Sequence, residues 1–448
     1  MALKKNILVR RVLASLLFFS FAIFSADAQV MKYESYEPPE TTKTIDIETV
    51  LQIAGANNLI IQEYILKQKV AEADLHTAQE WWLPNVYAGA SVHQLWGSAM
   101  NGDGAFFTDV NRQNLWGGIG INGSWDLGTS LNKVKAQKMR VKAMTFKTQT
   151  QKNHVLLQSI DAYYAFLNAQ LNYEAYLELA SQSENITKQI GNQVKAGLKV
   201  ESEYLLAKSN LGHLKIEMLN AKQEQLSASN ALKILLNLPG TFTLQATDTA
   251  LYPIQLTLDK LASSNEEIYK SRPEIANLQL GLKALDQEKK TVTTGLWAPT
   301  LALNTYTSYF GDVVSPLYPT SAINASLLWD INLGRALKGG QVEQYDANIA
   351  LQKNQIQQAK TIISNEVELA KQQKQLAKES AAIALEGSQL ARKALDQTIA
   401  RQQLGTAIPL EILQAQELYI KLRLDYLKAV ANHNKAEYAL YVSSGGVL

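Results

Sequence analysis

Few residues in this chain have the type and spacing that catalysis or metal binding needs. No Cys occurs among the 448 residues. That excludes disulfide scaffolds, thiolate zinc sites, iron–sulfur clusters and cysteine nucleophiles. The five histidines (His76, His93, His154, His213 and His433) are scattered without metal-ligand spacing. Gly118-Ile119-Gly120-Ile121-Asn122-Gly123 matches G-x-G-x-x-G. However, it lies within a strand pattern, opens no helix and has no acidic residue about 20 positions on. Small residues packed inside a narrow barrel explain it better. Asn101-Gly102-Asp103-Gly104 with Asp109 lacks the ligand order and closing Glu of a calcium loop. No G-x-S-x-G elbow is present. The expectation is a protein that is not an enzyme, with no catalytic, cofactor-binding or metal-binding residues.

The framework is more informative. The chain has 24 Gly and 10 Pro, well below the average combined usage of about 12%. Few breakers over this length predict long helices. The formal charge of +2 is set by the leader, where Lys4, Lys5, Arg10 and Arg11 face one Asp27. Residues 1–28 read as a secretory signal peptide: a basic start, an apolar run from Val12 to Phe24, and Ala26-Asp27-Ala28 as the cleavage site. The remaining body is near neutral and gives no argument for nucleic-acid binding.

Two copies of one unit follow. Trp82-Leu83-Pro84 pairs with Trp297-Ala298-Pro299, and Trp125-Asp126-Leu127-Gly128 with Trp329-Asp330-Ile331-Asn332-Leu333-Gly334. A period near 210 residues indicates a domain duplication rather than a solenoid. Residues 29–240 form the first copy, with a hairpin over 84–127 and a helix-to-helix turn over 195–202. Residues 273–448 form the second, with a hairpin over 298–332 and a turn over 404–409. Residues 241–272 connect them. Helices are expected at about 48–81, 130–194, 202–238, 274–296, 335–403 and 410–442. At 1.5 Å per residue the long ones reach about 100 Å and must project. Ile362, Leu369, Leu376, Ile383 and Leu390 recur every seven residues, beside a second row from Ile349 to Ala384, as in coiled coils.

All seven Trp fall within or immediately before the two hairpins. There, strands of about ten residues alternate apolar and polar side chains, as outer-membrane barrel strands do. Trp82, Trp96, Trp116, Trp125, Trp297 and Trp329 are expected to form a membrane-interface girdle. Segments 97–114 and 311–320 would be external loops. Four strands cannot close a barrel and lipid tolerates no open edge, so other copies of the chain must complete it. The alternative is a non-channel envelope adhesin or scaffold with coiled-coil stalks. Short external loops argue against it.

The ordered motifs resemble the TolC-like outer-membrane efflux protein family. The resemblance rests on Ile47-Glu48 through Ala54 with Asn57-Asn58, Trp82-Leu83-Pro84, Arg272-Pro273-Glu274-Ile275, and the turns at Ala196–Ser202 and Leu404–Pro409. It implies a mostly α fold with a β-barrel part. Three chains would share a 12-stranded outer-membrane barrel and a helical periplasmic tunnel. It also implies passive export in a tripartite efflux or type I secretion system, together with a periplasmic adaptor and an inner-membrane transporter. By the same resemblance Gly197, Leu198, Gly405 and Thr406 would meet the adaptor, and Asp396 would narrow the entrance as an acidic ring.

Overall fold

The computed structural model describes residues 42–256, 264–312, 316–331, 333–404 and 406–448. The signal peptide expected over 1–28 and Gly405, expected to meet an adaptor, lie outside the described residues. The protein is mostly helical, with one four-stranded and one two-stranded sheet.

The expected first helix is two helices, α1 (Ile47–Asn57) and α2 (Leu59–Gln79). Asn58 divides them. Its backbone is extended, and its side-chain oxygen accepts from the N–H groups of Ile60 and Ile61. This satisfies donors that a helix start leaves open. The Asn58 amide also donates to Leu235 C=O at 2.7 Å, which ties the break to the return helix. The hairpin strands are β2 (Asn85–Met100) and β3 (Phe106–Asp126). They extend through most of the expected external loop and leave a turn of only five residues. The small strand β1 (Lys43–Ile45) precedes α1.

Asp126 caps α3 (Leu127–Lys195) by accepting Thr129 N–H at 2.9 Å. Helix α4 (Glu201–Leu235) returns along it. The connector supplies β4 (Leu244–Ala246), paired in parallel with β1, and α5 (Asn265–Ser271). The second copy contributes α6 (Pro273–Val292), β5 (Thr300–Gly311), β6 (Tyr318–Leu328), α7 (Leu333–Lys338), α8 (Gly340–Gln403) and α9 (Pro409–Ser443). One helix was expected where α7 and α8 stand. The left-handed backbone of Gly339 (φ 64°) interrupts it, a conformation that only Gly adopts at little cost.

At about 1.5 Å per residue, α3 and α8 reach roughly 100 Å. Helix α3 packs on α4 and α9 toward one end and on α2 and α6 toward the other; α8 packs on α9 and α6. The main core lies midway along, where Ile160, Tyr163 and Leu167 of α3 meet Val430 of α9 and Phe242 and Leu244 of the connector. Gln170 braces the connector by accepting Ala246 N–H at 2.9 Å. Tyr163 donates to Asp248 at 2.6 Å.

The two expected rows on α8 have different fates. Ile349, Ile363 and Ala370 of the second row are buried within the chain. Ile362, Leu369, Leu376, Ile383 and Leu390 are all exposed. Periodicity marks both rows as apolar but cannot say which partner covers each.

Candidate functional site

Four strands in the order β2-β3-β5-β6, all antiparallel, form the main sheet. Each rung places four residues on one face, because successive side chains alternate. Val86, Ile121, Thr305 and Ile323 form one rung; the next is Asn85, Asn122, Asn304 and Asn324. One face therefore carries Val92, Ile119, Leu301 and Leu327, while the other carries Tyr87, Ser124, Tyr306 and Ser326. Neither face is covered by other described elements, and β2 and β6 are unpaired edges. The apolar face runs from Trp125 to Leu115. Ten residues at about 3.3 Å, tilted by about 40°, give roughly 25 Å of height, the height of the apolar band of outer-membrane barrels.

Glycines set the spacing of the wall. A Cβ on Gly120 would come within 2.6 Å of Thr305 C=O and the Tyr87 hydroxyl, and one on Gly118 within 2.6 Å of Thr307 C=O. The G-x-G-x-x-G match is thus explained by strand packing. At the foot of the sheet, Gly128 opens α3 directly against the backbone of Gly295, so any Cβ on Gly128 would overlap the Gly295 carbonyl. Two residues without side chains let these two backbone segments meet there.

The tryptophans separate into groups. Trp82, Trp125, Trp297 and Trp329 stand where the sheet joins the helices, and Trp125 donates to Trp82 C=O at 2.6 Å. Trp96 lies on the apolar face at the far end, beyond the exposed Gln94–Asn111 hydrogen bond. Trp116 does not fit the expected girdle. It lies nine residues from Trp125, an odd number, so it falls on the polar face, edge-on to Tyr306 at 6.4 Å. The clustering of Trp in sequence hid this difference in face.

At the opposite end, α3 closes on a Gly197 turn with φ 73°. Gly197 N–H bonds Val194 C=O and Leu198 N–H bonds Gln193 C=O, both at 2.9 Å, which satisfies the last open carbonyls of the helix. The second turn uses the same six-to-one bond, Thr406 N–H to Arg401 C=O at 2.9 Å. Lys199 links the turns. It pairs with Glu203 at 3.2 Å and donates to Ala407 C=O at 3.4 Å. The tip exposes Leu198 (76%) and Leu404 (79%), with Val200, Ile408 and Leu410 beside them. Of these five, only Leu198 was expected from the sequence to meet a partner. The strictly repeated turns, 208 residues apart, were the signal that could have found the others.

Asp396 is not a free carboxylate. Arg392, one turn earlier on α8, pairs with it at 3.3 Å. The same guanidinium reaches Glu178 of α3 and donates to the Tyr419 hydroxyl of α9, both at 3.1 Å, and lies over the Tyr419 ring. The Tyr419 bond and then the Glu178 carboxylate hold its positive charge above the ordinary arginine range. One cation thus bridges three helices near the tip, where the expectation had one acidic side chain. Between the helical hairpins, Asn210 donates to Gln416 at 3.0 Å and the fully buried Gln402 to Gln193 at 3.4 Å.

Residues 50–238 match the outer membrane efflux protein family model. Among curated proteins, none matches the sequence significantly. Solved structures with the same fold include the CmeC outer membrane channel of Campylobacter jejuni, with 17% identity, 92% of this chain, 90% of that chain and a TM-score of 0.74. VceC from Vibrio cholerae has 16% identity over 89% of this chain and 96% of its own, with a TM-score of 0.72. The MtrE outer membrane channel of Neisseria gonorrhoeae, in its open state, has 17% identity over 90% and 89%, with a TM-score of 0.70. The first half of the chain thus resembles the outer membrane efflux protein family, and the chain as a whole shares the fold of CmeC, VceC and MtrE. No described helix is long and apolar enough to cross a membrane.

Proposed function

We propose that the chain is the outer-membrane channel of a tripartite efflux or secretion system of a Gram-negative cell. It acts passively, and three copies share one barrel of twelve strands. The observation that carries this reading is the four-stranded sheet. Its apolar face matches the height of an outer-membrane band, its other face is polar, and both edges are open. An open edge in hydrocarbon leaves backbone groups without partners, so copies must join β6 to β2 of the next. The exposed Ile362–Leu390 row supports the same assembly along the helices. The polar rungs then face a water-filled pore.

Trp82, Trp125, Trp297 and Trp329 form the inner membrane-interface row and Trp96 sits at the outer side. Trp116 belongs to the pore. The apolar tip around Leu198 and Leu404, with Gly197 and Thr406 in the turns and Gly405 beside them in sequence, receives a periplasmic adaptor that delivers substrate from an inner-membrane transporter. Transport energy comes from that transporter, so the channel itself needs no catalytic group. Arg392 holds α8 and α9 against α3 at the entrance, with Asp396 as part of that clamp.

Reconstitution of the purified chain in planar bilayers tests the reading. Discrete cation-permeable conductance steps are expected. If pure, folded, membrane-inserted protein gives no steps even with the Arg392 clamp removed, the channel assignment fails.

A further inference from the structure

One cavity is lined by charge that export does not use. Residues Tyr252 to Leu256 of the connector are strapped along α9 by side chains instead of by a strand. Asn434 accepts Ile254 N–H at 2.9 Å and donates to Tyr252 C=O at 3.0 Å. His433 Nε2 lies 3.0 Å from Ile254 C=O, so this nitrogen carries the hydrogen. Glu437 accepts Leu256 N–H at 3.4 Å. Between this strap and α8 lies a cavity of about 400 Å³.

Its α8 wall carries Lys371, Lys374 and Lys378. Glu437, 1% exposed, is the one carboxylate in the lining. Both its oxygens are engaged, one by Lys374 at 2.9 Å and the other by Leu256 N–H. Lys371 and Lys378 form no ion pair with any described residue. Like charges three and four residues apart on one helix face weaken the helix. A local rule broken without structural return points to a site.

We propose that this cavity binds a compact anion bearing two or more phosphate or carboxylate groups. Lys371 and Lys378 hold its ends, with Lys374 between them. Seven residues separate the outer lysines, about 10.5 Å along the axis, so their flexible side chains must converge on a ligand held between them. Ile254 and Leu440 add an apolar wall. At 100° per residue, Lys374 and Lys378 stand about 160° around α8 from Leu376. The site therefore faces away from the row assigned above to the neighbouring copy. It does not depend on the channel reading.

The test is calorimetric titration of the detergent-solubilised full chain with pyrophosphate and, separately, with citrate. Saturable binding to at least one is expected. K371Q/K378Q should weaken it at least about tenfold, since charge-assisted hydrogen bonds dominate the contact. K353Q/K393Q, two neutralisations elsewhere on α8, should leave it unchanged. Pyrophosphate alone would mark the ligand as a phosphate and citrate alone as a carboxylate, and either supports the site. No saturable heat with either probe, or equal weakening in both double variants, overturns it. These lysine side chains are exposed, so circular dichroism of the variants should match the parent.

Discussion

Replacing Leu376 and Ile383 of α8 by Asp tests the assembly most directly. In the single chain these side chains remain 66% and 72% exposed. Full burial of a Leu or Ile contributes about 1.5–3 kcal/mol. Covering the remaining surface in a helical seam is therefore worth roughly 1–2 kcal/mol per residue. Two residues in each of three seams give roughly 6–12 kcal/mol, an upper range because neighbouring effects are not strictly additive. Asp adds the cost of placing a carboxylate against an apolar partner. A loss of about 6 kcal/mol weakens association by more than about 10⁴-fold. Size-exclusion chromatography with light scattering in detergent should show trimers for the parent and monomers for L376D/I383D. Far-ultraviolet circular dichroism should be unchanged, because neither side chain supports the fold within its own chain. A variant that stays trimeric at the parent's concentration range would refute the seam. A variant that loses helix as a monomer would show that the row serves intrachain packing instead.

Three further outcomes are expected. Arg392→Ala releases the contacts to Glu178, Tyr419 and Asp396. At about 0.2–1 kcal/mol per exposed ion pair and 0.5–1 for the ring contact, it should raise open probability several-fold in planar bilayers; unchanged conductance would remove the clamp assignment. Gly128→Ala forces a methyl group into the Gly295 backbone and should lower the unfolding temperature, with a cost of about 1–3 kcal/mol as in other overpacked sites. Burial, then the bond to Asp248, raises the Tyr163 pKa above its ordinary value near 10. The folded chain therefore holds that proton more tightly, and the stabilisation is complete below about pH 10 and lost as pH rises through the folded value. Stability against denaturant should fall in that alkaline range, and less steeply in Tyr163→Phe.

Much of the framework was legible in the sequence. The scarcity of Gly and Pro announced the long helices, and strict alternation in the hairpins announced the two-faced strands. These features depend on local periods that side-chain chemistry imposes directly. The turn at Gly197 was readable from a Gly that ends a helical pattern. Asn58 and Gly339 broke expected helices because one side-chain bond or one left-handed residue outweighs a favourable run.

Other features needed the folded chain. Trp116 lies an odd nine residues from Trp125, and that parity puts it on the polar face only because one unbroken strand runs through both. Asp396 reads as an isolated acid until Glu178 and Tyr419, 218 and 23 residues away, converge on Arg392. Lys371, Lys374 and Lys378 look like a solvated face until the connector folds over them and Glu437 proves already committed. Sequence by itself determined the elements, their order and their two-sidedness, since these follow from spacing along one chain. Tertiary structure decided which faces are satisfied and which still need a partner, because that depends on groups far apart in sequence meeting in space.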